Sequence, residues 1–126
     1  MNYSKVNHPH WKFKLDAPYA YDLHFQVFDS IGSRWVSLLP RHLMLLASEY
    51  FWDGITGFPR WFQPRCMLRG SLIHDAGLQL IKEGLLSPTY RERFDEEFRL
   101  TCLEDGTPTW VANLAYNAVR LYAQIP

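Results

Sequence analysis

The hydrophobic and polar positions repeat with one period in the first half of the chain and with another in the second. Apolar and polar side chains alternate over residues 19–27, which is the period of a half-buried β-strand. Residues 35–39 indicate a second strand, which Pro40 closes. Residues 43–52 indicate a third strand, although their apolar positions also fit the 3.6-residue repeat of a helix. We expect this half to form a small antiparallel β-meander.

The second half carries start and stop signals for three helices. Each start is a proline at the first helical position or just before it, and the three starts are Pro64, Pro88 and Pro108. Gly84 and Gly106 follow the first two helices and can end them. The short connection between these two helices favours an antiparallel pair. We therefore predict an α+β domain at residues 19–126, a β-meander followed by a three-helix unit, with residues 1–18 as an N-terminal arm.

Composition and charge narrow the range of partners. Of the 126 residues, 48% are hydrophobic and 16% aromatic, so the chain can bury a core of its own. Its 13 basic and 13 acidic residues cancel, which leaves no overall attraction for nucleic acid. The longest apolar run, residues 43–47, is far shorter than the roughly 18 residues of a membrane span. We expect a protein of the cytoplasm, with no transmembrane segment and no nucleic-acid partner.

Two of the predicted helices carry residues that can form a catalytic pair. His74 lies ten residues before Gly84, and Asp95 lies eight residues after Ser87. At ~1.5 Å per residue, these are roughly 15 and 12 Å from the connection, so an antiparallel pair brings His74 and Asp95 to nearly the same height. A carboxylate beside an imidazole fixes its tautomer and lets it act as a general base. The alternative is a structural hydrogen bond, because a histidine on an apolar helix face is usually a satisfied core residue.

A second group of residues has the character of a cation site. Asp53 and Gly54 end the predicted third strand, and Gly57 lets the following loop curl. Asp75 lies ~100° around the helix from His74 and can face this loop. Calcium prefers carboxylate and backbone carbonyl oxygens, so we interpret Asp53, Gly54, Gly57 and Asp75 as a candidate calcium site. The alternative is an ordinary Asp-Gly turn.

Several motifs within residues 34–123 resemble, in their order, a family of short proteins from tailed phages and prophages. The motifs are residues 51–59 (FWDGITGFP), 67–76 (MLRGSLIHDA), 94–98 (FDEEF), 104–106 (EDG) and 118–122 (AVRLY). The family is a domain of unknown function, so the resemblance implies a phage or prophage source and no established activity. Its expected setting is the host cytoplasm or the virion.

The order of the loop, the His-Asp pair and the later Asp is also similar to that of the calcium-dependent phospholipases with a His-Asp dyad. The resemblance is closest to the minimal domain found in parvovirus capsids. It implies that His74 is the general base and Asp95 its partner. It further implies that Asp75 and the loop around Gly54 hold calcium, with a lipid as the partner.

Two functions from different classes follow. The first is a phage or prophage accessory or virion-associated protein that binds a phage or host protein, as a monomer or a homo-oligomer. The alternative is a calcium-dependent, phospholipase-like ester hydrolase whose His74–Asp95 dyad activates water. A hydrolase needs an open cleft beside His74, whereas a binding module buries His74 in the core and exposes an apolar patch.

Overall fold

The first half of the chain folds into two small antiparallel β-sheets. The computed structural model describes residues 1–27, 30–55 and 57–124. Within these residues there are seven strands: β1 (Tyr3–Lys5), β2 (Phe13–Leu15), β3 (Tyr19–Val27), β4 (Ile31–Gly32), β5 (Val36–Leu39), β6 (Arg41–Leu46) and β7 (Phe51–Trp52). One sheet has the strand order β1-β2-β7, and the other has the order β3-β6-β5-β4.

Three helices make up the second half of the described chain. They are α1 (Arg65–Lys82), α2 (Arg91–Glu104) and α3 (Thr109–Ala123), and a 3-10 turn (Pro88–Tyr90) leads into α2. The stop signals act as predicted, since Gly84 and Gly106 have φ angles of 77° and 93° just after α1 and α2. The α+β class predicted from the sequence is confirmed. No helix in the described residues is long and apolar enough to cross a membrane.

The strand pairing departs from a simple meander. The prediction of one strand over residues 43–52 is wrong, because this segment divides between β6 and β7, which belong to different sheets. The chain turns between them at Glu49, whose φ of 70° is incompatible with an extended strand. β7 then pairs with β2, so the N-terminal arm contributes two regular strands. β3 pairs with β6, while β4, β5 and β6 form a meander.

Helix α1 forms the centre of the molecule because its apolar residues cover more than one face. Its buried residues are Met67, Leu68, Gly70, Ser71, Leu72, Ile73, His74, Ala76, Gly77 and Leu80. On the sheet side, the buried Trp52 of β7 donates its indole N–H to Ser71 Oγ at 3.1 Å. The opposite side packs against α2. A polar residue on α1 that lies between these layers is therefore removed from bulk water.

Two glycines let α1 and α2 pack closely against each other. A Cβ atom on Gly77 would clash with the ring of Phe94, and a Cβ atom on Gly70 would lie 3.0 Å from Cys102 Sγ. Because Gly77 faces Phe94 while Gly70 faces the later Cys102, the two helices run antiparallel. His74 lies on α1 between the two glycines, which places its side chain where the helix backbones are closest.

A buried glutamate fastens α2 to the larger sheet. Glu97 is 1% exposed and accepts hydrogen bonds from Tyr21 Oη at 2.6 Å and from the backbone N–H of His24 at 2.8 Å. His24 Nδ1 lies 2.6 Å from the same carboxylate, and its Nε2 lies 2.6 Å from Glu104. The hydrogen bond with Glu97 raises the pKa of His24, although partial burial opposes this. These contacts fix α2 against strand β3.

Replacing Gly77 by alanine should push α1 and α2 apart. Overpacking costs about 1–3 kcal/mol, and the better helix propensity of alanine returns up to about 1 kcal/mol. We expect a net loss of about 1–2 kcal/mol in the free energy of unfolding, measured by urea denaturation. Gln79→Ala, on the same helix but away from α2's rings, should change it by less than about 0.5 kcal/mol. A Gly77→Ala protein as stable as the wild type would contradict the close contact.

Candidate active site

The structure brings His74 and Asp95 into direct contact. His74 Nε2 lies 2.5 Å from Asp95 Oδ1, and the two side chains are buried, with 5% and 0% of the respective residues exposed. Helix α1 supplies the histidine and α2 the aspartate, as the spacing from the connecting turn predicts. The ring of Phe98 packs beside the imidazole, with 5.5 Å between ring centroids. The pair therefore lies in the core, between α1 and α2.

His74 and two arginines keep Asp95 ionised despite its burial. Arg120 of α3 donates to Asp95 Oδ2 at 2.8 Å, and Arg91, one turn earlier on α2, donates to Oδ1 at 3.3 Å. Burial by itself would raise the pKa of Asp95, but the hydrogen bond and charge of His74, with the two arginines, bring this pKa below its usual value. Asp95 is thus a carboxylate at neutral pH and can only accept hydrogen bonds.

The ionised Asp95 determines which nitrogen of His74 carries the proton. Because the carboxylate only accepts, neutral His74 must hold its proton on Nε2 and its lone pair on Nδ1. No described residue forms a hydrogen bond with Nδ1, and the nearest carboxylate oxygen, Asp75 Oδ1, is 3.9 Å away. The nitrogen that is free to accept a proton is therefore the one turned away from Asp95.

His74 forms part of the wall of a cavity of about 290 Å³ between α1, α3 and the loop after β7. Most of the described lining is apolar, and its polar groups are Ser71, His74 and Asp75 of α1 and the hydroxyl of Tyr122 of α3. The lining consists of Gly54, Ile55, Gly57, Phe58, Ser71, His74, Asp75, Phe98, Val111, Leu114, Ala115, Ala118, Val119 and Tyr122. His74 is thus buried in the core and also reachable from this cavity.

Asp75 lines this cavity, whereas Asp53 lines a separate cavity to which Asp75 also contributes. The backbone N–H of Asp53 donates to Asp75 Oδ2 at 3.2 Å, so Asp75 faces the loop as its position on the helix predicts. Gly54 and Gly57 have φ angles of 76° and 87°, so the loop uses the conformational freedom of both glycines. Burial, followed by the charge of Asp53, raises the pKa of Asp75 to about 8.

Gln63 organises this loop, and sequence reasoning assigned it no role. Its Oε1 accepts the N–H of Ile55 at 2.7 Å, while its Nε2 donates to the carbonyl of Phe58 at 2.9 Å and to that of Pro59 at 3.0 Å. One amide side chain therefore holds both ends of the bend. Thr56, which belongs to the loop motif, lies outside the described residues.

The predicted calcium site contains the types of oxygen ligand that a hard cation prefers. Asp53 and Asp75 offer carboxylate oxygens, and the loop offers backbone carbonyls. Within residues 1–27, 30–55 and 57–124, no group of three or more His, Cys, Asp or Glu side chains could hold a metal. A cation here would therefore depend on loop carbonyls as well as the two carboxylates. Because Asp75 keeps its proton up to about pH 8, such a cation would have to displace that proton.

Ser71 is the other polar group that α1 contributes to the cavity, and it is not placed as a nucleophile. Its hydroxyl donates to the carbonyl of Leu68 at 2.7 Å and accepts the indole N–H of Trp52. It makes no hydrogen bond with His74 among the described residues, whereas an activated serine requires a base within reach. Ser71 therefore has no activating base within hydrogen-bond distance among the described residues.

No family model, curated protein or solved structure matches the chain. The resemblances to the phage family and to the calcium-dependent phospholipases therefore stay predictions. What the site can do must be argued from its own geometry.

The raised pKa of Asp75 predicts a stability that falls with rising pH. Between about pH 4 and pH 8 the unfolded chain has lost this proton and the folded protein has kept it, so folding becomes less favourable as pH rises. Asp75→Asn keeps the acceptor for the Asp53 N–H and removes the titration. In EDTA, we expect this variant to be more stable than the wild type at pH 8 by about 1–3 kcal/mol, and by less at pH 4.

Urea denaturation at the two pH values measures this difference. Glu92→Gln, an exposed change on α2, is the matched control and should leave the pH dependence unchanged. An Asp75→Asn protein with the same pH dependence as the wild type would show that Asp75 is ionised in the folded protein.

Proposed function

We propose that the protein is a hydrolase of carboxylic esters with an apolar acyl part, and that His74 is its general base. One observation carries the proposal. A histidine whose tautomer is fixed by a buried, ionised aspartate forms part of the wall of an apolar cavity. A purely structural pair has no need of a free nitrogen beside a cavity that can receive an apolar molecule.

The residues support a two-step hydrolysis. In the first step, His74 Nδ1 takes a proton from water while the water oxygen bonds to the ester carbonyl carbon and the carbonyl electron pair moves to its oxygen. Asp95 stabilises the imidazolium that forms, because its carboxylate carries a negative charge and accepts a hydrogen bond from Nε2–H. In the second step the carbonyl re-forms and the bond to the alcohol oxygen breaks. His74 returns its proton to that oxygen, which releases the alcohol and the acid.

Calcium at Asp75, Asp53 and the loop carbonyls is part of this proposal. When bound, a divalent cation polarises an ester carbonyl and stabilises the negative charge on its oxygen. Asp75 follows His74 directly and faces the same cavity, so the cation and the base would act on one substrate. Gln63 holds the loop in shape before any cation binds.

Helix α3 covers one side of the site with apolar residues. It contributes apolar residues to the cavity wall, and Arg120 ties it to the same carboxylate that orients His74. Apolar surroundings strengthen the interaction between His74 and Asp95.

The second candidate is a phage or prophage accessory protein that binds a phage or host protein in the host cytoplasm or in the virion. The exposed apolar side chains of α3 favour it, with Trp110 at 72%, Leu121 at 65% and Tyr122 at 62% exposure. Trp61, in the segment before α1, is 86% exposed. Large apolar residues gathered on one helix are typical of a contact surface for a partner or a second copy.

A direct assay of ester hydrolysis separates the two candidates. We expect the purified protein to hydrolyse 4-nitrophenyl octanoate in millimolar calcium, and His74→Asn to lower kcat/KM by about 100-fold or more, since general-base catalysis contributes 10²–10⁴. His42→Asn is the matched control, because His42 is an exposed histidine on β6 that pairs with Asp22. It should keep the wild-type rate, and circular dichroism should show that both variants are folded.

Equal rates for the wild type, His74→Asn and His42→Asn would mean that the observed hydrolysis is non-specific. The hydrolase proposal would then be wrong, and the partner-binding function would be the one to pursue.

The proposed binding of calcium at Asp75 is tested separately by thermal melting. We expect millimolar calcium to raise the melting temperature relative to EDTA, since a ligand that binds only the folded state stabilises it. Asp75→Asn should abolish the rise, and Glu92→Gln should keep it. If calcium leaves the melting temperature of the wild type unchanged, the cation has no place in the mechanism.

A further inference from the structure

The cavity beside His74 has its polar groups, apart from the Tyr122 hydroxyl, on one side. Ser71, His74 and Asp75 all come from α1, and the side chains contributed by α3 are apolar or, at Tyr122, aromatic. No lysine or arginine occurs in its described lining. A phosphate, a sugar or a nucleotide would lose hydration against such walls without gaining a partner. The lining fits a molecule with one small polar end and an apolar chain.

The exposure of the lining residues shows how this molecule would lie. The deep end is formed by buried residues, among them His74, Phe98 and Ile55. The outer end is formed by Leu114 and Tyr122, which are each 62% exposed. An apolar chain therefore leads from the polar group near His74 outward along α3, and its far end lies between two exposed apolar side chains.

The volume of the cavity limits the length of that chain. A water-sized group takes about 30 Å³, so a cavity of about 290 Å³ holds roughly ten such groups. A saturated acyl chain of about eight to ten carbons, its carbonyl included, fills this space. Longer chains would extend past Leu114 and Tyr122 into solvent, where each further methylene gains little.

Two alanines of α3 bound this space. Ala115, which is half-buried, and Ala118, which is exposed at the outer end one turn from both Leu114 and Tyr122, line the cavity, and neither carries a side-chain atom beyond Cβ. They lie one turn apart on the helix face that looks across at α1. Larger side chains at these positions would occupy room that the chain needs.

We propose that this cavity is an acyl-chain site for saturated chains of about eight to ten carbons, and that Ala118 and Ala115 determine the length it accepts. The inference deepens the proposed hydrolase function and rests on it, since it names the acyl part of the substrate. It can be tested without catalysis, because occupancy of the cavity by a chain does not require a reaction.

The probes are 2-alkanones of six to fourteen carbons, which carry a carbonyl but no leaving group and cannot be hydrolysed. Isothermal titration calorimetry with the full chain gives the dissociation constant for each. We expect affinity to rise about fourfold with each added methylene, as for burial in an apolar site, and to level off near ten carbons. Ala118→Leu should move that plateau two to three carbons shorter. Ala115→Val, a smaller change, should shift it in the same direction.

Ala123→Leu makes the same substitution as Ala118→Leu at the end of α3, outside the cavity lining, and should leave the plateau in place. Absence of binding in the wild type, a rise that continues through fourteen carbons, or an identical plateau in Ala118→Leu would each overturn the inference. Alkanone binding by a protein that hydrolyses no ester would contradict only the proposed function. Hydrolysis by a protein with no length plateau would contradict only the acyl-chain site.

Discussion

The contact between α1 and α2 sets the geometry on which the candidate site depends. Gly70 and Gly77 carry no side chain, so Cys102, Phe98 and Phe94 of α2 can approach the backbone of α1. His74 lies between these glycines and therefore reaches Asp95 across a short gap. Glu97 fixes α2 against β3. The packing of apolar residues around Gly70 and Gly77 thus determines the distance between His74 and Asp95, the two residues that would carry the chemistry.

Asp95 both holds the three helices together and orients His74. A buried charge is tolerated only when it is paired and hydrogen-bonded, and Asp95 meets this condition with donors from all three helices: His74, Arg91 and Arg120. The carboxylate that orients His74 therefore also holds α3, whose residues form the cavity wall. The His74–Asp95 hydrogen bond can serve both structure and catalysis. It joins two helices, and it also leaves Nδ1 of His74 as the basic nitrogen.

The sequence was sufficient for the parts of the site that follow from helix geometry. Spacing from the turn between α1 and α2 predicts the meeting of His74 and Asp95, and helix rotation predicts that Asp75 faces the loop. Contacts between segments that are distant in the sequence could not be predicted from helix geometry. Nothing local indicates that Arg120 reaches Asp95, that Gln63 holds the loop, or that Glu49 breaks the strand so that β7 joins β2. The cavity also depends on where α3 lies against α1, which only tertiary packing determines.

The central claim is that the neutral ring of His74 carries its proton on Nε2 and presents the lone pair of Nδ1 to a molecule in the cavity. The ¹⁵N NMR signals of the His74 ring, recorded from pH 5 to pH 9 with and without 2-decanone, test it most directly. The account predicts that the neutral ring carries its proton on Nε2, and that the Nδ1 signal shifts when the ketone binds. A neutral ring protonated on Nδ1, or an Nδ1 signal that does not respond to a bound ketone, would contradict it.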